Sequence, residues 1–250
     1  MTNKSRLDIL LVDRGLVASR TKAQALVLAG RVYSGERRLD KPGQATPVDT
    51  PLTIRQDEIE WVSRGGVKLA HGLAHFSVDA TNRDCLDIGA STGGFTDVLL
   101  GAGARRVWSV DVGRGQLDWS LRTDNRVTVL EGVNARYLTR SEIPEPPSLI
   151  VCDASFIRLQ SVLPASLALA AEEAELVALI KPQFEVGKGR VGKGGVVRDP
   201  ALHQEVCDRI RTWLTDEMGW DVYGITESPL KGPKGNLEFL IGARKAVCHE

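Results

Sequence analysis

The sequence predicts an α/β chain in two parts: a small N-terminal α+β domain over residues 1–60, then a mostly parallel, Rossmann-like sheet over residues 61–250. Three observations lead there. From residue 63 onward, apolar runs of strand length alternate with helical stretches, the pattern of a sheet covered on both faces. The first of these runs ends in a glycine-rich turn, Asp87-Ile88-Gly89-Ala90-Ser91-Thr92-Gly93-Gly94-Phe95. Positive charge gathers at the start: residues 1–41 hold nine Lys/Arg against four Asp/Glu, although the whole chain balances 32 against 32. A basic segment on a neutral body is suited to holding a polyanion.

In the first part, residues 6–13 have the spacing of a short helix. Ser19 stands as an N-cap, residues 20–29 form a second helix, and Gly30 stops it. Residues 32–33 and 52–54 predict small strands, with a turn at Ser34-Gly35, and residues 40–51, with three prolines, predict a loop. Arg20 and Lys22 fall in the first turn of the second helix, where a cation opposes the helix dipole at a cost of about 0.3–1 kcal/mol. A helix selected for stability alone would carry Asp or Glu there. Together with Arg6, Arg14 and Lys41 they are candidate phosphate contacts; an ordinary solvated face is the alternative.

In the second part, residues 84–89, 106–112, 127–130, 149–153 and 175–181 predict strands, and residues 95–102, 116–122 and 161–171 predict helices. Asp199 caps a further helix, with Pro200 in its first position, that runs to residue 218. Residues 221–226 and 236–242 close the sheet as a strand pair. Active sites in such sheets gather at the carboxyl ends of the strands.

Three cofactor chemistries compete for the glycine-rich turn. A dinucleotide fold needs glycine where Ser91 stands, so that a pyrophosphate can approach the backbone. A nucleophile elbow matches Gly89-Ala90-Ser91-Thr92-Gly93, but then needs an acid and a histidine downstream, and only His203 and His249 are available. S-adenosylmethionine has no phosphate and needs instead an acid at the next strand end for its ribose hydroxyls. Asp111 stands there, 22 residues after Gly89; a plain strand-end acid is the alternative. The string Gly187 to Gly194 nearly matches a P-loop, yet Gly194 replaces the magnesium-binding Ser/Thr, and no strand and helix frame it.

Four charged residues fall where this architecture places chemistry: Asp153 and Lys181 at strand ends, Glu238 in the final hairpin, and Lys68 shortly before the first strand of the sheet. A ribose hydroxyl is a very weak acid, so its attack on a methyl sulfonium calls for a base. A lysine serves when neutral, which burial or a neighbouring cation favours. Lys181 is the candidate base and Lys68 the neighbouring cation, with Asp153 and Glu238 orienting Lys181 while favouring its charged form. Two structural ion pairs are the alternative.

Two resemblances attach to these residues. The pattern from Arg6-Leu7-Asp8 through Arg14-Gly15-Leu16 and Ser19-Arg20 to Gly30 and Val32 resembles the RNA-binding domain named after ribosomal small-subunit protein four. Lys68, Asp153, Lys181 and Glu238 resemble the tetrad of the FtsJ-like ribose 2′-O-methyltransferases. Over nearly the whole chain the TlyA family, which joins both domains, is the closer resemblance. Its motifs stand here as Ser63-Arg64-Gly65-Gly66, Asp153-Ala154-Ser155-Phe156-Ile157, Lys181-Pro182-Gln183-Phe184-Glu185 and Gly235-Asn236-Leu237-Glu238. The resemblance implies an S-adenosylmethionine methyltransferase sheet that methylates a cytidine ribose in ribosomal RNA of the large subunit or of both subunits. It implies cofactor contacts at Asp87, Gly89, Ser91, Thr92, Gly93, Gly94 and Phe95, and beyond the turn at Asp111, Val112, Asn134 and Asp153. Arg64 joins the implied RNA contacts. Arg158 departs from the serine usual in relatives. Some relatives carry a haemolysin label.

Other classes are weaker. No run approaches about 18 apolar residues, so neither a membrane span nor a lytic protein is expected, and the first eight residues lack the apolar stretch of a signal peptide. Cys85, Cys152, Cys207 and Cys248 form no C-x-x-C pair, and are expected as reduced thiols of a cytoplasmic protein without a metal site. Methylation of a base carbon would need an activated cysteine, and Cys152 has no basic neighbour in sequence. The remaining competitor is a ribosome-binding or assembly module whose methyltransferase fold is inactive. An intact tetrad argues against it.

Overall fold

The computed structural model of the protein describes residues 4–17, 19–28, 30–54, 61–187 and 189–245; Cys248 and His249 lie outside them. The chain divides into two compact units, Met1–Ile59 and Glu60–Glu250.

The first unit opens with β1 (Lys4–Arg6), α1 (Leu7–Asp13), α2 (Arg20–Leu28), β2 (Val32–Ser34) and β3 (Arg37–Arg38). It closes with β4 (Ala45–Pro47) and β5 (Thr53–Ile54). Ser19 Oγ accepts from Lys22 N at 3.3 Å, as an N-cap does. Arg6 is extended rather than helical, because β1 pairs with β4 and sets Arg6 opposite Ala45. β4 lies inside the stretch expected to be loop. It is three residues long and ends in a proline, which a two-stranded ribbon tolerates at its margin. The turn after β2 is Gly35-Glu36, and Ser34 stays in the strand paired with Arg37. Leu7, Leu11, Ala23, Val27 and Val32 form the core of this unit.

The second unit is a seven-stranded sheet with helices on both faces. In chain order it runs α3 (Arg64–Phe76), β6 (Asp84–Ile88), α4 (Gly94–Gly101), β7 (Arg106–Asp111), α5 (Trp119–Arg122) and β8 (Val127–Glu131). Then follow β9 (Leu149–Cys152), α6 (Leu159–Val162), α7 (Pro164–Ala168), β10 (Glu175–Ile180), α8 (Pro182–Glu185), α9 (Pro200–Thr212), β11 (Trp220–Glu227) and β12 (Phe239–Lys245). The spatial order is β11-β12-β10-β9-β6-β7-β8, and β12 runs antiparallel to both of its neighbours. The chain builds β6, β7 and β8 outward, then returns to lay β9 on the other side of β6. That reversal opens a crevice between the ends of β6 and β9, where ligands bind in this architecture.

Successive residues of the buried strands feed opposite cores. Leu86, Ile88, Ile150 and Cys152 pack toward α6, α7 and α9, while Cys85, Leu149, Val151 and Val177 pack toward α3 and α4. Burial pushes the Cys85 and Cys152 thiols up to about 12, which leaves Cys152 unsuited to nucleophilic chemistry.

Several elements differ from expectation for identifiable reasons. α3 contains the Gly65-Gly66 pair, which argues locally for a turn. The helix forms because Ser63 Oγ caps it from Gly65 N at 3.3 Å, and because a side chain at Gly66 would overlap Trp61. Residues 161–171 split into two short helices at Pro164. The helix expected at 116–122 starts only at Trp119, since Glu131 takes the N–H groups of Gln116 and Leu117 at 3.1 and 3.3 Å. The helix capped by Asp199 ends at Thr212 and gives way to a π-helical turn, Trp213–Glu217.

Candidate active site

The turn after β6 is shaped by one close approach. Gly89 has φ 83°, and a Cβ there would sit 2.9 Å from Ala154 Cα, so the turn folds tightly against the segment that follows β9. Asp111, the last residue of β7, accepts from Ser91 N at 2.8 Å and from Gly113 N at 2.7 Å. These bonds fix its carboxylate and leave lone pairs facing a cavity of about 530 Å³. Val110, Val133, Asn134 and Ile157 form other parts of the wall, and among the described residues no lysine or arginine lines it. Largely apolar walls with a carboxylate fixed at Asp111 suit an adenosyl group with its ribose diol. A diphosphate would meet no cation there. The observed donor set therefore fits S-adenosylmethionine and not a dinucleotide.

A second cavity, about 570 Å³, shares Gly89, Ser91, Asp153 and Ser155 with the first. Lys68 and Lys181 line it. The four charged residues meet as two ion pairs. Lys68 Nζ lies 2.6 Å from Glu238 Oε2, and Lys181 Nζ lies 2.5 Å from Asp153 Oδ1. Lys181 also donates to Ser155 Oγ at 2.8 Å and to the Asp153 carbonyl at 3.1 Å. Lys68, Lys181 and Glu238 are all buried. Glu238 was expected to orient Lys181; the structure pairs it with Lys68, and Gln183 Nε2 steadies its other oxygen at 3.2 Å.

The short helix α8 organises this wall. Lys181 precedes it, Gln183 reaches Glu238, and the Phe184 ring lies 4.9 Å from that of Phe156. Glu185, 1% exposed, accepts from Leu159 N at 2.8 Å and from Arg209 Nη2 at 3.2 Å. Burial pushes its carboxyl up, and the bond from Leu159 N opposes that shift. Residues 153–158 are thus held at both ends, by Lys181 and by Glu185. Arg158 sits over Gly187, near Glu185.

The other cofactor candidates divide. Val112 and Asn134 line the apolar slot, whereas Thr92, Gly94 and Phe95 line the cavity of the lysines. Asp87 and Gly93 line neither. Gly93 is covered by Leu117 and Leu121. Asp87 is fully buried behind the turn, where Thr96 Oγ1 donates to it at 2.7 Å. Burial pushes its carboxyl up to about 7, against the Thr96 hydrogen bond. It supports the turn from within. Ser155, Gln183 and Glu185 were not anticipated, although the polar residues in Asp153-Ala154-Ser155 and Lys181-Pro182-Gln183-Phe184-Glu185 were a signal for them.

In the N-terminal unit, Asp8 gathers two of the expected phosphate contacts. It accepts from Arg6 Nε and Nη2 at 3.0 Å each, from Arg20 Nε at 2.9 Å and from Gln24 Nε2 at 2.7 Å. Asp8 is covered by these polar side chains rather than by core, and the Arg6 bond holds its carboxyl well below the usual range. Arg14 donates to the carbonyls of Val48 and Thr50. Lys22, Lys41 and Arg64 are exposed.

The comparisons agree with this geometry. The FtsJ-like methyltransferase family matches residues 61–245, and the S4 domain matches residues 5–45. The 16S/23S rRNA (cytidine-2′-O)-methyltransferase TlyA of Mycobacterium tuberculosis is 48% identical over 245 residues, covering 98% of this chain and 91% of that one. The 23S rRNA (cytidine-2′-O)-methyltransferase TlyA of Campylobacter jejuni is 34% identical over 248 residues, covering 92% and 95%. A solved structure from Streptococcus thermophilus, provisionally named a hemolysin, superposes with TM-score 0.77 at 40% identity, covering 98% of this chain and 90% of that one.

Proposed function

The chain belongs to the FtsJ-like methyltransferase family, and from that premise we propose that it methylates a cytidine ribose 2′-hydroxyl in ribosomal RNA with S-adenosylmethionine as donor. The observation that carries this reading is the junction of the two cavities. The apolar slot at Asp111 opens, past Gly89 and Asp153, onto the wall of two buried lysine–carboxylate pairs. The names of the relatives support the substrate, and one of them names both ribosomal RNAs. We take the large subunit as substrate, with the small subunit as a second one, and the bacterial cytoplasm as the place of action. The hemolysin name carries no mechanism: among the described residues no helix is long and apolar enough to cross a membrane.

The residues divide the work. Asp111 holds the ribose of the cofactor, while Val110, Val133 and Ile157 enclose its base. Bound there, S-adenosylmethionine supplies a methyl group that its sulfonium makes electrophilic. Lys68, fixed by Glu238, donates to the acceptor ribose and orients it. Lys181 takes the proton of the 2′-hydroxyl. As a neutral amine it retains Ser155 Oγ and the Asp153 carbonyl as acceptors, and its lone pair is then free for that proton. Burial of the wall excludes water, so alignment of hydroxyl and methyl contributes alongside proton transfer. The test is incubation of the protein with labelled cofactor and separate, unmethylated ribosomal subunits, followed by mapping of the product. Label on a cytidine O2′ is expected; label on a base, or none, overturns the reading.

A further inference from the structure

Three cations border the tetrad without belonging to it. Arg64, Lys231 and Lys234 line the same cavity as Lys68, Asp153 and Lys181. Lys68 and Lys181 are each neutralised by a carboxylate. Among the described residues, no carboxylate pairs with Arg64, Lys231 or Lys234. The tetrad contributes no net charge, so the cavity wall carries an excess of three positive charges.

The backbone holds two of these cations in place. Residues 231–236 form a tight turn in which Gly232 N donates to the Asn236 carbonyl at 2.9 Å and Gly235 N donates to the Gly232 carbonyl at 3.1 Å. A side chain at Gly232 would overlap the Glu238 carboxylate, so only glycine lets this turn descend onto the tetrad. Lys234 has φ 60°, a conformation that lysine adopts at a cost. Asn236 ties the turn down: its Oδ1 accepts from Val197 N at 3.0 Å and its Nδ2 donates to the Gly195 carbonyl at 3.0 Å. The anchoring groups, Gly195 and Val197, follow directly after the glycine-rich string Gly187 to Gly194 that mimics a P-loop.

We propose that Lys231 and Lys234, with Arg64, hold the phosphodiester on the 3′ side of the ribose being methylated. The inference rests on the reading of the tetrad as a ribose 2′-O-methyltransfer site. In a ribonucleotide, O2′ and O3′ are carried by adjacent carbons, so the phosphate on O3′ lies beside the reacting hydroxyl. A wall that receives O2′ at Lys68 and Lys181 must receive that phosphate within the same cavity. Unpaired cations fixed there suit its charge. The enzyme then grips its target by the linkage next to the reacting atom, and an internal nucleotide is required.

The test compares full-length wild type with the Lys231→Gln/Lys234→Gln double variant. Single-turnover methyl transfer to unmethylated large ribosomal subunits is followed from labelled S-adenosylmethionine, over a series of KCl concentrations. The double variant is expected to lose at least about tenfold in rate at saturating subunits, because the grip acts on the positioned ribose. The log–log salt slope of subunit binding should fall by about 1.4, at about 0.7 per single-strand contact. Cofactor affinity, which also reports that the variant is folded, should hold. Lys231→Arg/Lys234→Arg should recover most of the rate. A saturating rate equal to wild type overturns the proposal, whether subunit binding weakens through general attraction or not at all. If the wild-type protein itself places no label on a ribose oxygen, the parent reading falls and this one with it.

Discussion

The slot at Asp111 and the wall at Lys181 share Gly89, Ser91, Asp153 and Ser155, yet they are assembled differently. The slot comes from the segments that follow the four neighbouring strands β9, β6, β7 and β8, and the carboxylate of Asp111 is held there by backbone N–H groups. The wall joins α3, the end of β9, the entry to α8 and the segment before β12, so that Lys68 meets Glu238 across 170 positions of sequence. The charges of its tetrad are held by one another. A binding site can be built locally, but a site that must keep opposite charges buried needs the whole sheet closed around it. Removing one partner from such a pair leaves an uncompensated buried charge, at a cost of about 3–5 kcal/mol.

The largest expected effect lies on the wall. Lys181→Ala should lower single-turnover methyl transfer by about 10²–10⁴-fold, the usual worth of a general base. Calorimetric affinity for the cofactor should stay within a few-fold of wild type, since the slot does not need the lysine. Lys181→Arg should be as slow as the alanine variant, because a guanidinium stays charged. Arginine at near wild-type rate would show that position 181 acts through charge, and alignment alone would then carry the chemistry.

Next in size is a stability effect behind the slot. Asp87 stands at about 7 in the folded chain, raised by burial from an ordinary value of 3.8. Between these values the folded state keeps a proton that the unfolded state has released. Stability should therefore fall as pH rises from about 4 to 7 and level off above, by an amount on the order of 2–4 kcal/mol. Asp87→Asn keeps an acceptor for Thr96 and should remove that slope in chemical denaturation. A slope that survives the substitution belongs to another group, with buried Glu185 the next candidate.

Asp111→Ala should follow. Loss of charge-assisted hydrogen bonds of about 1.5–3 kcal/mol corresponds to a cofactor Kd weakened by roughly 10–150-fold. The Asp111 carboxylate also receives Ser91 N and Gly113 N, so Asp111→Asn, which keeps an acceptor, should lose less. Equal losses in the two variants would show that a neutral acceptor does not replace the carboxylate; an asparagine variant that binds as well as wild type would assign the residue to the shape of the turn rather than to the ribose.

The same contrast governs what the sequence disclosed. Strands buried on both faces leave continuous apolar runs, so β6, β7, β9 and β10 could be placed within a residue or two. The position of Asp111 was legible because it depends on one strand end and one turn. α3 was not, because its two glycines look like a turn until Trp61 is seen packed against one of them. Asp87 was assigned to the cofactor by motif, and its inward direction is set by packing against Thr96. The four tetrad residues were legible individually. Their partners were not, since nothing local says that Glu238 chooses Lys68 and Gln183, or that Lys181 and Glu185 brace residues 153–158.

The smallest expected effects fall in the N-terminal unit, where the structure sharpens the distinction between cations. Arg6 and Arg20 converge on Asp8, which orders both guanidiniums and cancels one of their charges. Lys22 follows in the same helix turn, without such a partner among the described residues. If this face holds RNA, each contact to phosphate releases counterions, and each lost contact should reduce the log–log salt slope of RNA binding by about 0.7–0.9. Lys22→Gln is then expected to weaken binding to ribosomal subunits only a few-fold at moderate salt, and to flatten the slope by one contact. Arg20→Gln should do the same and, in addition, lower the stability of the unit, because Asp8 loses a partner. Cofactor affinity should not respond to either change, since the slot is built entirely from residues of the second unit. Substitution of Arg6, Arg20 and Lys22 together should remove close to three contacts. A slope that does not move under the triple change would leave these residues as a solvated face, and the grip on RNA would have to come from elsewhere.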